Sequence, residues 1–307
     1  VLQVEVVIPP GKAIETLRVP SHAGGPDILQ TFVGSEGTLG VITKATMRID
    51  PIPEARSFLS FIFPDIYAGL EAGRLIMTNR LRPATIRLYD EEDSKKLAEW
   101  VGTPVTGNLM VVMVDGDQEL VDYEVKRITE LSTQASGSAL DPEIGRIWWD
   151  GKYEPYAKGK LPALPLVFGT MDTVARFEDM PKIYKARKET IESEFAEYKV
   201  RYTAHFSHWY DWGTMIYDRF YIDQVPEDEV EALRLHERLW NVGTKVSLDN
   251  GGVLNDHHGV GQKLGRFMHK QFGSAWPLIQ ALKEAWDPDG ILNPGKLGFG
   301  PPKNSRW

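Results

Sequence analysis

Short runs in which apolar and polar residues alternate predict strands near the start of the chain and again after residue 210. Residues 1–20 alternate on either side of the segment Pro9-Pro10-Gly11-Lys12, a pattern typical of a β-hairpin. Residues 41–50 and 214–222 also have a period of two, which places successive side chains on opposite faces of a strand. Between these runs, shorter apolar segments predict further strands at residues 57–63, 84–90 and 108–114.

Helical spacing of apolar residues follows most of these strands. It predicts a helix that carries Ile66, Leu70 and Ile76 with Asp65 as its N-cap, and further helices at residues 91–100, 119–132, 179–198 and 226–246. Asp179 is the predicted N-cap of the helix at 179–198. On the helix at 179–198 we expect the basic residues to form a solvated face, although one of them could instead point at an anionic substrate. These residues are Lys182, Lys185, Arg187 and Lys188. Strands that alternate with helices over short connections predict an α+β fold with an antiparallel sheet.

Residues 136–164 interrupt this alternation with a polar segment that is rich in glycine and proline. Its aromatic residues argue against simple disorder, so we predict a loop. A loop that folds over a site and a structured surface loop fit the sequence equally well.

Composition narrows the class of protein. The 307 residues carry a formal net charge of −8, which argues against a general nucleic-acid partner. The absence of cysteine excludes disulfides, thiolate metal sites and cysteine nucleophiles. Because no apolar run is long enough for a transmembrane helix and no signal peptide is visible, we expect a cytoplasmic protein.

The first candidate for chemistry is a glycine-rich turn at residues 34–40, where Gly34, Gly37 and Gly40 recur every third position. Glycine accepts positive φ and allows another surface to come close. Such a turn could direct backbone N–H groups at an anion such as a pyrophosphate. Spacing alone also fits a tight turn without a ligand, since neither dinucleotide nor Walker A spacing is present.

The second candidate is the strand at residues 214–222. Its period of two predicts that Tyr217 and Arg219 share a face with Met215 and Tyr221, opposite an apolar face. A phenol beside a guanidinium is easier to ionise and could act as a base. An exposed strand face with a cation–π pair explains the same pattern.

The third candidate is the pair His257-His258, which lies in a turn bounded by glycines. Adjacent histidines could be metal ligands, a proton shuttle or hydrogen-bonded loop residues. A metal would need further ligands within reach, and the candidates are His205, His208, Asp211 and Asp256.

The run FVGSEGTLGVIT, with Pro51 and Pro53 after it, resembles the segment that closes the FAD-binding domain of the vanillyl-alcohol-oxidase (PCMH-type) flavoprotein family. The resemblance implies FAD as the cofactor. It also implies that this turn, the strand after it and the C-terminal segment contact FAD. The implied contact residues are Gly34, Ser35, Glu36, Gly37, Thr38, Gly40, Ile42 and Asn293.

Two further motifs, SHWYDWGTMIY and HHGVG, are similar to the alkylglycerone-phosphate synthase branch of that family, although Asp256 stands where the synthase has a third histidine. The resemblance implies Tyr217 as acid/base, His257 and His258 as its partners or substrate ligands, and Arg87, in IRLYD, as the anion clamp. Tyr217 stands near the second metal-binding histidine of the family's hydroxy-acid dehydrogenases, so we predict no metal.

The implied architecture is the C-terminal part of a PCMH-type FAD-binding domain in residues 1–54, an α+β cap with an antiparallel sheet in 55–275, and a segment returning to the flavin in 276–307. The N-terminal half of the FAD domain is not found here, so we expect the same polypeptide or another chain to supply it.

The expected function is an FAD-dependent oxidoreductase or flavin-dependent alkyl transferase acting next to oxygen on a small hydroxylated or phosphorylated substrate. A D-lactate- or glycolate-type 2-hydroxy-acid dehydrogenase and a non-catalytic flavoprotein subunit are the alternatives, and a homodimer stays open.

Overall fold

A computed structural model describes residues 1–154 and 168–301 and divides the chain into two compact units. Unit 1 contains Val1–Pro51 and the chain from His257 onward, and unit 2 contains Ile52–Asp256. The first division lies close to the predicted boundary after residue 54. The second lies at Asp256/His257, so residues 257–275 belong to unit 1 and not to the unit that contains the predicted cap strands.

Unit 1 contains a small antiparallel sheet in which β1 (Gln3–Ile8) lies between β2 (Lys12–Glu15) and β3 (Val41–Thr46). The predicted N-terminal hairpin is therefore confirmed. Alternate residues of β1, Val4 and Val6, are buried against a short helix, α1 (Ile28–Phe32). Phe32 of α1 stacks on Trp286 with ring centroids 5.0 Å apart, which joins the two chain segments of this unit in one core.

The C-terminal part of unit 1 consists of α8 (Met268–Phe272), α9 (Trp276–Trp286) and short 3-10 turns at Gly265–Phe267 and Lys296–Gly298. The N–H of Leu297 donates to the carbonyl of Gly261 (3.2 Å). A Cβ atom on Gly265 would lie 2.6 Å from the backbone nitrogen of Gly298, so the two turns pack backbone against backbone. These contacts explain why residues 257–275 fold with the C-terminal segment.

Unit 2 is built on one antiparallel sheet, and the predicted α+β class with an antiparallel sheet is confirmed. In the described residues the strand order is β11-β8-β10-β9-β5-β6-β4-β7. These strands are β4 (Ala55–Phe63), β5 (Thr85–Tyr89), β6 (Asn108–Gly116), β7 (Ser138–Leu140), β8 (Phe168–Arg176), β9 (Val200–Trp209), β10 (Gly213–Ile222) and β11 (Val253–Leu254).

Helices cover both faces of this sheet. One face packs against α2 (Ile66–Thr78), α4 (Gln118–Gln134), α6 (Met180–Glu194) and α7 (Glu229–Asp249), and α3 (Glu91–Val101) and α5 (Glu143–Gly151) lie on the other. Strand β6 serves both cores, since Met110 and Val112 pack with the first group and Leu109 and Val111 with the second. Both faces of β6 are therefore buried, which explains its continuous apolar run.

The structure corrects the predicted loop at 136–164. Its described part contains β7 and α5, and residues 155–164 lie outside the described residues. The side chain of Trp148 on α5 is buried, so the aromatic residues of this segment serve as core as well as surface. Asp65 caps α2 as predicted by accepting from the N–H of Ala68 (2.8 Å). Asp179 makes no such cap bond and instead pairs with Arg176.

We predicted that Arg187 lies on a solvated face, but the structure shows that its side chain is fully buried. Its guanidinium forms an ion pair with Asp218 of β10 and donates to the hydroxyls of Thr173 (2.6 Å) and Ser247. The hydroxyl of Tyr202 donates to the same carboxylate (2.6 Å). Burial raises the pKa of Asp218, an effect that the charge of Arg187 opposes. The pair therefore connects α6 to the inner face of the sheet.

Asp90 begins α3 as its N-cap, and its carboxylate accepts the N–H groups of Asp93 (2.9 Å) and Ala204 (2.7 Å). The hydroxyl of Tyr184 donates to it as well (3.4 Å). Burial and the neighbouring charge of Asp93 raise the pKa of Asp90 to about 7. The folded protein therefore holds a proton on this group more tightly than the unfolded chain does.

We expect this group to make the protein less stable as the pH rises. Between 3.8, its ordinary value, and about 7, Asp90 binds more protons in the folded state, so the free energy of unfolding falls through this window. The expected slope is up to about 1.4 kcal/mol per pH unit. Urea unfolding at several pH values across the window measures this slope. The variant Asp90→Asn loses one hydrogen-bond acceptor, so it should be less stable at every pH, but it should lack the slope that Asp90 contributes. Equal slopes in both proteins would contradict the prediction.

In residues 1–154 and 168–301 no helix is both long and apolar enough to cross a membrane.

Candidate functional site

One face of the sheet in unit 2 carries a row of three rings from three neighbouring strands. Tyr89 on β5 pairs with His205 on β9, and His205 pairs with Tyr217 on β10. Directly paired residues project from the same face of a sheet. The ring of His205 accordingly stacks on Tyr217, with centroids 4.7 Å apart and planes at 15°, and lies 5.6 Å from Tyr89. Both tyrosines line a cleft of about 840 Å³.

Two arginines lie close to His205, each near a different nitrogen of its imidazole ring. Nη2 of Arg87 lies 2.7 Å from Nε2 of His205, and Nη2 of Arg219 lies 3.5 Å from Nδ1. A guanidinium can only donate, so Nε2 accepts and the neutral imidazole carries its proton on Nδ1. Burial, with the positive charge of Arg87, lowers the pKa of His205 well below its ordinary value.

The carboxylate of Asp93, on α3, stands beside this histidine. Its Oδ2 atom lies 3.7 Å from Nδ1 of His205 and 3.9 Å from Nη1 of Arg219, while Oδ1 accepts from Lys96 (3.3 Å). Burial works against ionisation, but His205 and the charge of Arg219 hold the pKa of Asp93 well below its usual range. Among the described residues, Oδ2 is buried and has no partner at hydrogen-bond distance.

The described lining of the cleft is positively charged, although the whole chain carries −8. It contains the cationic side chains of Arg87, Lys96, Lys152 and Arg219 and one carboxylate, Asp93. Aromatic rings form much of the remaining wall, so the cleft suits an anionic group with an apolar portion. These rings belong to Tyr89, Trp100, Trp148, Trp149, Tyr153, Tyr217 and Tyr221.

The predicted cleft-facing side of β10 is confirmed for three of its four residues, while the fourth, Met215, is fully buried. Tyr217, Arg219 and Tyr221 line the cleft, and Ile216 and Phe220 are buried in the core on the opposite side. The guanidinium carbon of Arg219 lies 5.6 Å from the ring centre of Tyr217. The structure therefore brings together Arg87 and Tyr217, two of the four residues to which the sequence assigned chemistry.

The predicted cofactor turn lies in unit 1. Gly34, Glu36 and Gly37 have φ values of 85°, 49° and 71°, which explains the two glycines. Asn293 donates to the carbonyl of Glu36 (2.6 Å), and a Cβ atom on Gly37 would lie 2.6 Å from the nitrogen of the same amide. Asn293 and the turn, which were each predicted to contact FAD, are therefore in direct contact with each other.

Further bonds stabilise this turn from within unit 1. The hydroxyl of Thr38 donates to the carbonyl of Ser35 (2.7 Å), and the buried ammonium of Lys283 donates to the carbonyl of Thr38 (2.8 Å). A Cβ atom on Gly40 would meet the side chain of Val6, so only glycine fits against β1. Ile42, two residues later, pairs with Val6 in the sheet and has an exposed side chain.

The carboxylate of Glu36 connects the cofactor turn to the histidine turn. It accepts the N–H groups of Val260 and of Gly261 (2.8 Å), both just beyond His257 and His258. The two imidazoles lie together, with ring centroids 3.9 Å apart. The sequence predicted each of these turns but not the bond between them. The carboxylate of Glu36 therefore serves to position the histidine turn.

Asp256 binds two residues of the SHWY motif. Its carboxylate pairs with Nδ1 of His208 and accepts from the hydroxyl of Tyr210. The residue that departs from the synthase motif therefore forms a histidine–carboxylate pair in unit 2.

The sequence indicated His205 only as a possible additional metal ligand and did not indicate Asp93 at all. The position of His205 beside Tyr217 and Tyr89 could be predicted only from the register of the three strands, because each residue lies on a different strand. Asp93 follows Asp90, Glu91 and Glu92 at the start of α3, where carboxylates are common for a different reason, their favourable position at a helix N-terminus.

Comparison with known proteins places these features in a family context. Residues 52–297 match the family described as FAD linked oxidases, C-terminal domain. An uncharacterized FAD-linked oxidoreductase of Escherichia coli (strain K12), YgcU, is 28% identical over 309 residues, covering 97% of this chain and 63% of the relative. Alkyldihydroxyacetonephosphate synthase of Trypanosoma brucei brucei is 26% identical over 329 residues, covering 98% of this chain and 53% of the relative.

Solved structures show the same fold. A structure of alkyldihydroxyacetonephosphate synthase superimposes with a TM-score of 0.71 at 23% identity, covering 96% of this chain and 54% of that protein. The chain thus spans between about half and two thirds of the length of the proteins it matches.

Proposed function

The chain belongs to the family of FAD linked oxidases, as their C-terminal domain, and we propose from this that it forms the substrate-binding part of an FAD-dependent enzyme. The observation that carries the proposal is the cleft of unit 2, which the phenol of Tyr217 lines together with two arginines, Arg87 and Arg219. The proposed substrate is a small hydroxylated molecule with an anionic group, such as a carboxylate or phosphate.

Unit 1 fits a role in holding FAD. A Cβ atom on Gly34 would project into open space, so this end of the turn can accept a close neighbour. We assign the contact to the turn at residues 34–40, with Ile42 and Asn293 beside it. FAD, when bound, supplies the electron-accepting ring for an oxidation next to oxygen or for an alkyl exchange.

In unit 2 the side chains of this chain bind, orient and deprotonate. Arg87 and Arg219 hold the anionic group of the substrate, because guanidinium groups match carboxylate and phosphate oxygens. Tyr217 exchanges a proton with the substrate group next to oxygen, aided by the positive charge of Arg219. The tryptophans of the wall limit access of water. In unit 1, His257 and His258 are proposed as substrate ligands or proton partners.

The proposal is tested by substrate oxidation in the FAD-loaded polypeptide. A panel of 2-hydroxy acids, phosphorylated alcohols and uncharged alcohols is added anaerobically, and the loss of oxidised flavin absorbance is followed. We expect bleaching only by anionic members. Arg87→Gln should raise the concentration needed for half-maximal bleaching about tenfold or more, the effect of losing one charged hydrogen bond. Bleaching by uncharged alcohols alone would overturn the anion-binding role of the cleft.

We predict that the 307 residues taken alone bind FAD weakly or not at all. The turn at residues 34–40 is one side of the proposed site, and the resemblance assigns the main pyrophosphate loop to a part of the FAD domain outside this sequence. Absorbance of the purified protein before and after denaturation measures the bound flavin. A polypeptide that adds the other half of the domain is the positive control. A stoichiometric, slowly released flavin on these 307 residues would contradict the prediction.

A 2-hydroxy-acid dehydrogenase that uses a metal is the second candidate, and the His208–Asp256 pair is the observation in its favour. Carboxylates commonly orient metal-binding imidazoles through the second ring nitrogen. We nevertheless predict no tightly bound divalent ion, because the resemblance implies that Tyr217 stands near the position of the second histidine ligand and no cysteine can replace it. Elemental analysis of the purified protein decides between the two. About one Zn, Mn or Fe per chain that is lost in His208→Ala would establish the metal-dependent alternative.

A further inference from the structure

His205 is surrounded by more hydrogen-bond donors than a neutral imidazole can satisfy. A guanidinium nitrogen of Arg87 lies 2.7 Å from Nε2 and one of Arg219 lies 3.5 Å from Nδ1, and both guanidinium groups can only donate hydrogen bonds. One nitrogen must carry the proton, so only one arginine can have the histidine as an acceptor. The shorter contact assigns Arg87 as the donor and leaves Arg219 with a weaker contact.

The nearest carboxylate, Asp93, does not accept a hydrogen bond from these donors through its Oδ2 atom. Oδ2 of Asp93 lies between His205 and Arg219, but at 3.7 and 3.9 Å it is too far for a hydrogen bond to either. Nε of Arg87 is also buried and has no partner among the described residues. The cluster therefore contains an excess of N–H groups next to a cleft wide enough for a small molecule.

We infer that His205 takes up one proton when the cleft binds an anion, and that this histidine thereby couples anion affinity to pH. The inference rests on the proposed anion-binding role of the cleft. In the coupled state a solvent proton binds Nε2 of His205, the hydrogen bond from Arg87 breaks, and the released N–H group of Arg87 donates to the anion. The anion then faces Arg87 and Arg219, which line the cleft, and the buried imidazolium of His205 lies directly behind Arg87 and adds a third positive charge.

The charges around His205 set the direction of this coupling. From β5 it faces Arg87 and Tyr89, from β10 Tyr217 and Arg219, and from α3 Asp93, which Lys96 also contacts. Two guanidiniums against one carboxylate keep the imidazole neutral when no anion is bound. A bound dianion reverses that balance and favours the protonated form.

The direction of the pKa supports the same conclusion. Burial and the charge of Arg87 lower the pKa of His205 well below its ordinary value, so the histidine is neutral before binding at neutral pH. Anything that offsets the arginines must raise this pKa, and by linkage the anion must bind more tightly as the pH falls.

The test is calorimetric titration of the full chain with sulfate, whose charge stays constant over the pH range used. At each pH, two buffers with different ionisation enthalpies report the number of protons taken up. In the wild type we expect uptake approaching one proton and an affinity that rises toward tenfold for each unit by which the pH falls. His205→Gln should still bind sulfate without this pH dependence, since its amide oxygen can accept from Arg87 but does not titrate. His269→Gln, at an exposed histidine of α8, is the matched control and should behave as the wild type.

The outcomes separate this inference from the proposed function. Sulfate binding with no proton uptake and no dependence on pH in the wild type would overturn the role of His205 and leave the anion cleft supported. Equal pH dependence in the wild type and His205→Gln would overturn it too. No binding of sulfate at any pH would overturn both. If His205→Gln does not fold, His205→Asn, which also has an amide oxygen and does not titrate, takes its place in the same comparison.

Discussion

Replacing Tyr217 by phenylalanine should lower turnover by about 10²–10⁴-fold, the usual contribution of one general acid–base group. The substitution keeps the ring that stacks on His205 at 4.7 Å and removes only the hydroxyl. Folding and sulfate binding should therefore be unchanged. An ordinary phenol has a pKa of about 10, so a tyrosine base needs nearby positive charge. Arg219, 5.6 Å from the ring centre, is placed to provide it.

The comparison is made in the FAD-loaded polypeptide with an anionic substrate found in the panel described above. Tyr123→Phe, which removes the hydroxyl of an exposed tyrosine on α4, is the control and should retain full turnover. Near-normal turnover of Tyr217→Phe would show that the strand face carries a structural cation–π pair and no acid–base group.

Replacing Arg187 by methionine should destabilise the protein by about 3–5 kcal/mol, the cost of leaving a buried charge without its partner. Methionine retains much of the aliphatic stem but leaves Asp218 fully buried, and among the described residues the hydroxyl of Tyr202 is then its one side-chain donor. The effect should be on stability, because the pair lies on the face of the sheet opposite the cleft. Urea unfolding measures it directly.

Arg201→Met is the matched control, because Arg201 forms an ion pair with Asp223 at the exposed ends of β9 and β10. The side chains of this pair are 50% and 42% exposed, so the same substitution should cost no more than about 1 kcal/mol. Equal losses for Arg187→Met and Arg201→Met would mean that burial of the inner pair has no energetic consequence.

The sequence by itself determined the features that depend on local periodicity. The period of two in β10 placed Tyr217 and Arg219 on one face and Ile216 and Phe220 on the other, and the sheet has this arrangement. The N-terminal hairpin and most helices followed in the same way, because a strand or helix with one buried face shows its period in the sequence. The uninterrupted glycine-rich run was also enough to indicate the family.

The tertiary structure decided what depends on distance between elements. Local sequence suggested that Arg187 lies on the solvated, basic face of its helix. Its burial depends on a partner elsewhere in the chain, the buried carboxylate of Asp218 on β10. Likewise, His205 joins the site through its register with Tyr89 and Tyr217, and Glu36 reaches the histidine turn across more than two hundred residues. A buried charge or neutral histidine is stable only beside its partner. Partners far apart in the chain are brought together by packing, which local periodicity does not record.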